Sequence, residues 1–139
     1  SMFVDSKEPR KLAQRVVDSL EVVTPGLNVP VRFLSGGNVQ KVLVGREIAS
    51  TPTVLLTAYA VRGLDINSSY TIYDLINQQK EKGVAVIYVG EDLDVLLELS
   101  DRILVLCDGE VSAVLDGRKA DKKEVGLYMT HVGGGTDGK

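Results

Sequence analysis

The chain has 139 residues, 44% of them hydrophobic, and carries 16 Lys and Arg against 19 Asp and Glu for a formal charge of −3. That length and apolar fraction allow a core of single-domain size. There is no tryptophan and the basic residues are scattered, so neither a phosphate-tracking stripe nor a base-stacking platform is present, and nucleic acid is not an expected partner.

Lys7 to Leu20 sets Leu12, Val16, Val17 and Leu20 on one helical face, with Asp5 or Ser6 as N-cap and Pro9 early enough to be tolerated. Thr24-Pro25-Gly26-Leu27-Asn28-Val29-Pro30 ends that helix and delivers an extended chain to Ser35. A second helix is predicted from Gly36 to about Ser50, stopped by Thr51-Pro52, and Val54-Leu55-Leu56 reads as a strand buried in a parallel sheet. Asn67 or Ser68 is expected to cap a third helix carrying Ile72, Leu75 and Ile76, with Gly83 as its C-terminal cap.

Val84 to Val89 is a second predicted buried strand, followed directly by a helix through Leu93, Leu96, Leu97 and Leu99. Ile103 to Cys107 is a third strand, and Asp108-Gly109 turns it into a half-exposed strand with Val111, Ala113 and Leu115 on one side. A short helix is expected within Lys119 to Thr130. Cys107 is the only cysteine, so no internal disulfide or zinc cluster is available and its expected role is packing. His131, the only histidine, is expected to be solvated at the edge of a tail. No apolar run approaches the roughly 20 residues of a membrane span, and the charged start does not fit a signal peptide. The expectation is a soluble chain, with docking onto an embedded subunit left open.

Two segments carry chemistry. Leu34-Ser35-Gly36-Gly37 opens the second helix; its glycines leave backbone amides unshielded and Ser35 adds a hydroxyl, which is a set of donors suited to a phosphate. The same four residues also fit a plain glycine turn with Ser35 as N-cap. Arg62-Gly63-Leu64-Asp65 follows about two dozen residues later.

In that order, these segments resemble the signature motif and D-loop of ATP-binding cassette (ABC) proteins. The succession of helix, signature, strand, D-loop, helix, strand, loop, strand and hairpin is similar to the C-terminal part of an ABC nucleotide-binding domain and covers nearly the whole chain. Leu34 to Lys41, with Asn38 after the two glycines, resembles the double-cassette ATPases of sugar and nucleoside importers. Glu91-Asp92-Leu93-Asp94 and Asp108-Gly109-Glu110 resemble that family's second cassette. The implied fold is α/β, a fragment of a P-loop NTPase-type layered sheet with parallel strands flanked by helices and a C-terminal β-hairpin. The P-loop itself is absent, because no Gly-x-x-x-x-Gly-Lys-Ser/Thr occurs. The expected division is a cloning remnant at 1–2, part of a helical subdomain at 3–34, the signature helix and α/β part at 35–132, and a flexible tail at 133–139.

The resemblance also marks departures. The strand that should end in a magnesium-binding aspartate and a water-polarising glutamate ends in Ala58 and Tyr59, then Ala60 and Val61. Ala58 has no oxygen for a cation and a neutral phenol is a poor base. Loss of a general base alone costs ~100-fold to 10,000-fold in rate. The H-loop histidine position falls on Glu91, where a carboxylate would repel a γ-phosphate; it also reads as an acid in a helix's first turn.

No catalytic residue and no metal ligand is therefore assigned. The resemblance implies that Ser35, Gly36, Gly37, Asn38 and Asp65 face ATP held by an opposing cassette, in the same polypeptide. ATP and Mg²⁺ belong to the intact complex, with none tightly bound to this chain alone. Transmembrane permease subunits, and a substrate-binding protein indirectly, complete the implied assembly at the cytoplasmic face of the membrane. Two other readings stand beside it: a non-transport ABC ATPase, and a structural or regulatory cassette without nucleotide contact.

Overall fold

The computed structural model describes residues 7–130, in two compact units that meet in sequence between Val89 and Gly90. The expectations for Asp5, Ser6, the remnant at 1–2, His131 and the tail at 133–139 lie outside the described residues.

In the first unit, helix α1 (Lys7–Ser19) buries Val16, which clusters with Leu20 and Val22. Helix α2 (Gly36–Ala49) packs on α1 and contributes Val42 to that cluster. Gly45 explains how close the two helices come: a Cβ there would lie 2.6 Å from Leu20 Cδ1 and 2.8 Å from Val16 Cγ1. The described part of 3–34 thus shares its core with the signature helix.

Strand β1 (Val54–Ala58) and strand β2 (Ala85–Val89) pair in parallel, from Val54 opposite Ala85 to Ala58 opposite Val89. Helix α3 (Ile66–Glu81) makes the crossover and buries Ile72 and Ile76 against Val86 and Tyr88. Gly83 ends it as expected, with φ +84° and its N–H donating to the Lys80 carbonyl at 2.9 Å.

The strands depart from the expectation of burial on both faces. Leu55 is buried, but Val54, Leu56, Ile87 and Val89 are exposed. Successive side chains alternate across a sheet, and α3 covers only one side of it. The parallel register holds; the second covering layer is not formed by the described residues.

In the second unit, helix α4 (Leu93–Leu99) precedes the antiparallel pair β3 (Arg102–Cys107) and β4 (Glu110–Asp116). Asp108 at φ +51° and Gly109 at φ +80° form the two-residue turn between them, the left-handed pair that matches strand twist. The third strand therefore pairs antiparallel with β4. A register shift after Val105 makes Ser112 the extra residue, since Val105 faces Ala113 while Leu106 faces Val111. Consequently the expected Val111, Ala113, Leu115 face is broken: Val111 is exposed and Ser112 is buried. Helix α5 (Lys122–Thr130) places Val125 on Ile103 and Val105. Cys107 is buried, as its packing role requires, and burial with Asp108 beside it pushes the thiol pKa up.

Candidate functional site

The signature segment is built by a short 3-10 turn, Val31–Phe33, that leads into extended Leu34 and Ser35. Ser35 is the N-cap of α2, with φ −64° and ψ 158°. Its Oγ accepts from the Asn38 backbone N–H at 3.4 Å and from Asn38 Nδ2 at 2.9 Å. A hydroxyl has two acceptor positions and one donor, so both acceptor positions are occupied from within the helix and the O–H is left to donate outward. Asn38 Oδ1 in turn accepts the Val23 N–H at 2.9 Å. Both ends of the Asn38 amide are thereby used inside the chain, orienting Ser35 and holding the segment after α1.

Gly36 and Gly37 occupy the first turn of α2, where a helix supplies no carbonyl for its amides. Ser35 and Gly36 are exposed, and a Cβ on Gly36 would meet nothing within 4 Å. Gly37 is half-buried; its Cβ would stand 3.1 Å from Ser68 Oγ and 3.9 Å from Asp65 Oδ2. The tip therefore presents amides and one hydroxyl on open ground, with a positive helix end behind them, an arrangement that fits an anionic oxygen.

The D-loop leaves β1 through Tyr59 at φ +53°, whose N–H still donates to the Val89 carbonyl at 2.8 Å. Two turns follow, Arg62 N–H to the Tyr59 carbonyl and Leu64 N–H to the Val61 carbonyl, each 3.1 Å, with Gly63 at φ +75°. Buried Ala60 anchors the loop. Arg62 lies over the Tyr59 ring at 5.9 Å. The loop ends at Asp65, which caps α3.

This corrects the expected cap at Asn67 or Ser68. Helix α3 begins at Ile66, and Asp65 Oδ1 accepts the Ser68 N–H at 3.0 Å while Oδ2 accepts the Ser68 hydroxyl at 2.7 Å. The Ser68 N–H, and then its hydroxyl, hold the Asp65 carboxyl below the usual carboxylate range. A carboxylate caps about as well as an amide or hydroxyl, and its charge also suits the positive end of the helix. The Asp-x-x-Ser spacing carried the signal. From sequence Ser68 is a candidate cap only; its place beside Gly37 comes from the fold.

Ala58 closes β1 and Tyr59 is exposed beyond it, so neither of these two positions carries a carboxylate. Among the described residues no group of three His, Cys, Asp or Glu side chains converges to hold a metal ion. Glu91 is exposed in the second unit and is not in a first helical turn: α4 starts at Leu93, capped by Asp92 Oδ1, and its first-turn acid is Asp94. Asp94 pairs instead with Lys122 at 2.7 Å, a hydrogen bond that raises the lysine pKa.

Fold and helix tip together define a class, the α/β nucleotide-binding cassette. The dimeric structure of a post-hydrolysis state of an ATP-binding cassette, bound to ADP and Pi, matches at a TM-score of 0.72 and 28% identity over 85% of this chain and 51% of that one. No family model matches. Curated proteins do: the xylose import ATP-binding protein of Moorella thermoacetica is 38% identical over 124 residues, 89% of this chain and 24% of its own length. The ribose import ATP-binding protein of Oceanobacillus iheyensis is 34% identical over 128 residues, 92% of this chain and 26% of its own. The chain belongs to the ATP-binding cassette family and spans about a quarter of the length of these relatives.

Proposed function

We propose that this chain is part of the second cassette in the ATP-binding subunit of an ABC importer for simple sugars or nucleosides, and that it serves an ATP site it does not itself complete. The observation that carries this reading is the pairing of an open signature tip, Ser35 to Gly37, with a strand end that offers only Ala58 and Tyr59. Its own nucleotide site lacks a carboxylate for Mg²⁺ and a base for water. Its helix tip lacks nothing needed to grip a phosphate from outside.

An opposing cassette's P-loop would hold the ATP, and bound Mg²⁺ would supply countercharge to its phosphates. Ser35 donates its hydroxyl and Gly36 and Gly37 their amides, each charge-assisted bond contributing roughly 1.5–3 kcal/mol. Asn38 acts through Ser35, whose acceptor positions it fills. Asp65 stands beside Gly37 and carries the cassette junction. Closure of the two cassettes then moves permease subunits at the cytoplasmic face of the membrane, with a substrate-binding protein delivering cargo. The relatives named for xylose and ribose import support this assignment of class, and a related cassette is dimeric with ADP and Pi bound.

The test is made in the full-length parent ATPase. Ser35→Arg is expected to abolish ATP turnover, because a bulky side chain fills the open ground before Gly36, while Tyr59→Phe leaves turnover within about twofold, since no general base is lost. Equal tolerance of both changes would overturn the proposal in favour of a purely structural cassette.

A further inference from the structure

Gly37 on the signature helix and Asp65 at the end of the D-loop belong to different segments, yet one side chain lies beside both. Ser68 donates its N–H to Asp65 Oδ1 at 3.0 Å and its hydroxyl to Asp65 Oδ2 at 2.7 Å. A Cβ on Gly37 would lie 3.1 Å from Ser68 Oγ and 3.5 Å from Ser68 Cβ. The Gly37 backbone therefore lies close beside the residue that clamps the carboxylate, with no room for an unstrained methyl between them. Ser69 adds a bond from its hydroxyl to the Asp65 carbonyl at 3.0 Å, a local bond at the start of α3.

We propose that Ser68 is a positioning residue that joins the signature tip to the D-loop, so that Ser35 to Gly37 and Asp65 move as one body. Both oxygens of Asp65 are fastened by Ser68, and a side-chain carbon at 37 would press on its hydroxyl, which would have to give by a few tenths of an ångström. Val44 of α2 also packs against the Ala60, Ile72 and Ile76 cluster; at the tip itself, Ser68 is where a displacement of either segment reaches the other. The functional meaning of this link rests on the reading given above, in which both segments meet ATP bound elsewhere; the link itself is a property of this chain.

The test is amide hydrogen exchange on the 139-residue chain, comparing Ser68→Ala with Ser69→Ala. The reporters in α2 are the N–H groups of Asn38 and Val39, which bond to Ser35 and not to Ser68. Those in α3 are the N–H groups of Ser68 and Ser69. Ser68→Ala is expected to speed exchange at both sets by about fivefold, the factor set by an ordinary net hydrogen bond. Ser69→Ala is expected to affect α3 alone. Acceleration confined to α3 in Ser68→Ala would overturn the link and reduce Ser68 to a local cap.

If Ser68→Ala loses its native circular dichroism, Gly37→Ala makes the same test in reverse. Its added methyl presses on Ser68 Oγ, so faster exchange at Ser68 and Ser69 supports the link and unchanged exchange there refutes it. ATP turnover of Ser35→Arg in the parent enzyme reports separately on the trans site. Coupled exchange with turnover insensitive to Ser35 would sink the ATP reading alone; uncoupled exchange with turnover lost would sink the Ser68 link alone.

Discussion

Replacing Asn38 by Ala should weaken the contact between the signature helix and the segment that follows α1. The substitution removes two bonds of 2.9 Å, from the Val23 N–H to Oδ1 and from Nδ2 to Ser35 Oγ. At ~0.5–1.5 kcal/mol net each, the loss is ~1–3 kcal/mol. Two effects offset it. Alanine is the better helix former by up to ~0.7 kcal/mol, and Val23 is 75% exposed, so its freed N–H regains water. The expected result is a destabilisation of about 1 kcal/mol, a fall of roughly 3–5 °C in Tm for a chain of this size. Asn38→Asp is the sharper companion. It keeps the acceptor for Val23 and adds a negative charge in the first turn of α2, favourable by ~0.3–1 kcal/mol, so it should lose less than half as much. Thermal and urea unfolding followed by circular dichroism at neutral pH measure both. If Asn38→Ala equals the parent chain in stability, or if Asp and Ala are equally costly, the clasp onto Val23 is not what holds this helix tip.

Gly45→Ala should also destabilise the first unit, since its methyl would lie 2.6 Å from Leu20 Cδ1 and 2.8 Å from Val16 Cγ1. Overpacking of ~1–3 kcal/mol outweighs the ~1 kcal/mol gained in helix propensity, and a rise in the unfolding midpoint would contradict this packing. Gly117→Ala should be harsher, at ~3 kcal/mol or more, because the methyl would stand 2.0 Å from the Ser100 carbonyl oxygen, a backbone atom with nowhere to go; soluble expression with unchanged urea midpoint would refute it. The Ser68 N–H and hydroxyl hold the Asp65 carboxyl below its value in the unfolded chain, so the unfolded chain takes up more protons in acid. The stability from this cap is present above about pH 4 and is lost as pH falls through the folded-state value. Asp65→Asn should therefore flatten the acid limb of stability against pH, and an unchanged limb would show that the Ser68 clamp does not hold the carboxylate.

Much of this chain was legible because local patterns carry local causes. Helical spacing, the Thr51-Pro52 stop, the Gly83 cap and the Asp108-Gly109 turn each act within a few residues, and each element stands where those signals put it. The α3 cap was misplaced by two or three residues because three polar candidates, Asp65, Asn67 and Ser68, sit within four residues, and only the bond geometry selects Asp65. The broken face of β4 was hidden because an extra residue in a ladder is a property of two strands together. Ser112 is turned inward by what Val105 and Leu106 find opposite them.

The helix tip divides the same way. Sequence alone determined which groups are offered: the amides of Gly36 and Gly37, the Ser35 hydroxyl, and no carboxylate at Ala58 and Tyr59, since chemical identity needs no neighbours. Tertiary structure decided which of those groups are free. It turned the Asn38 amide inward onto Ser35 and Val23, left Gly36 open, and set Gly37 against Ser68. Hydrogen-bond capacity is finite and space is exclusive, so a group's availability depends on contacts between segments far apart in the chain.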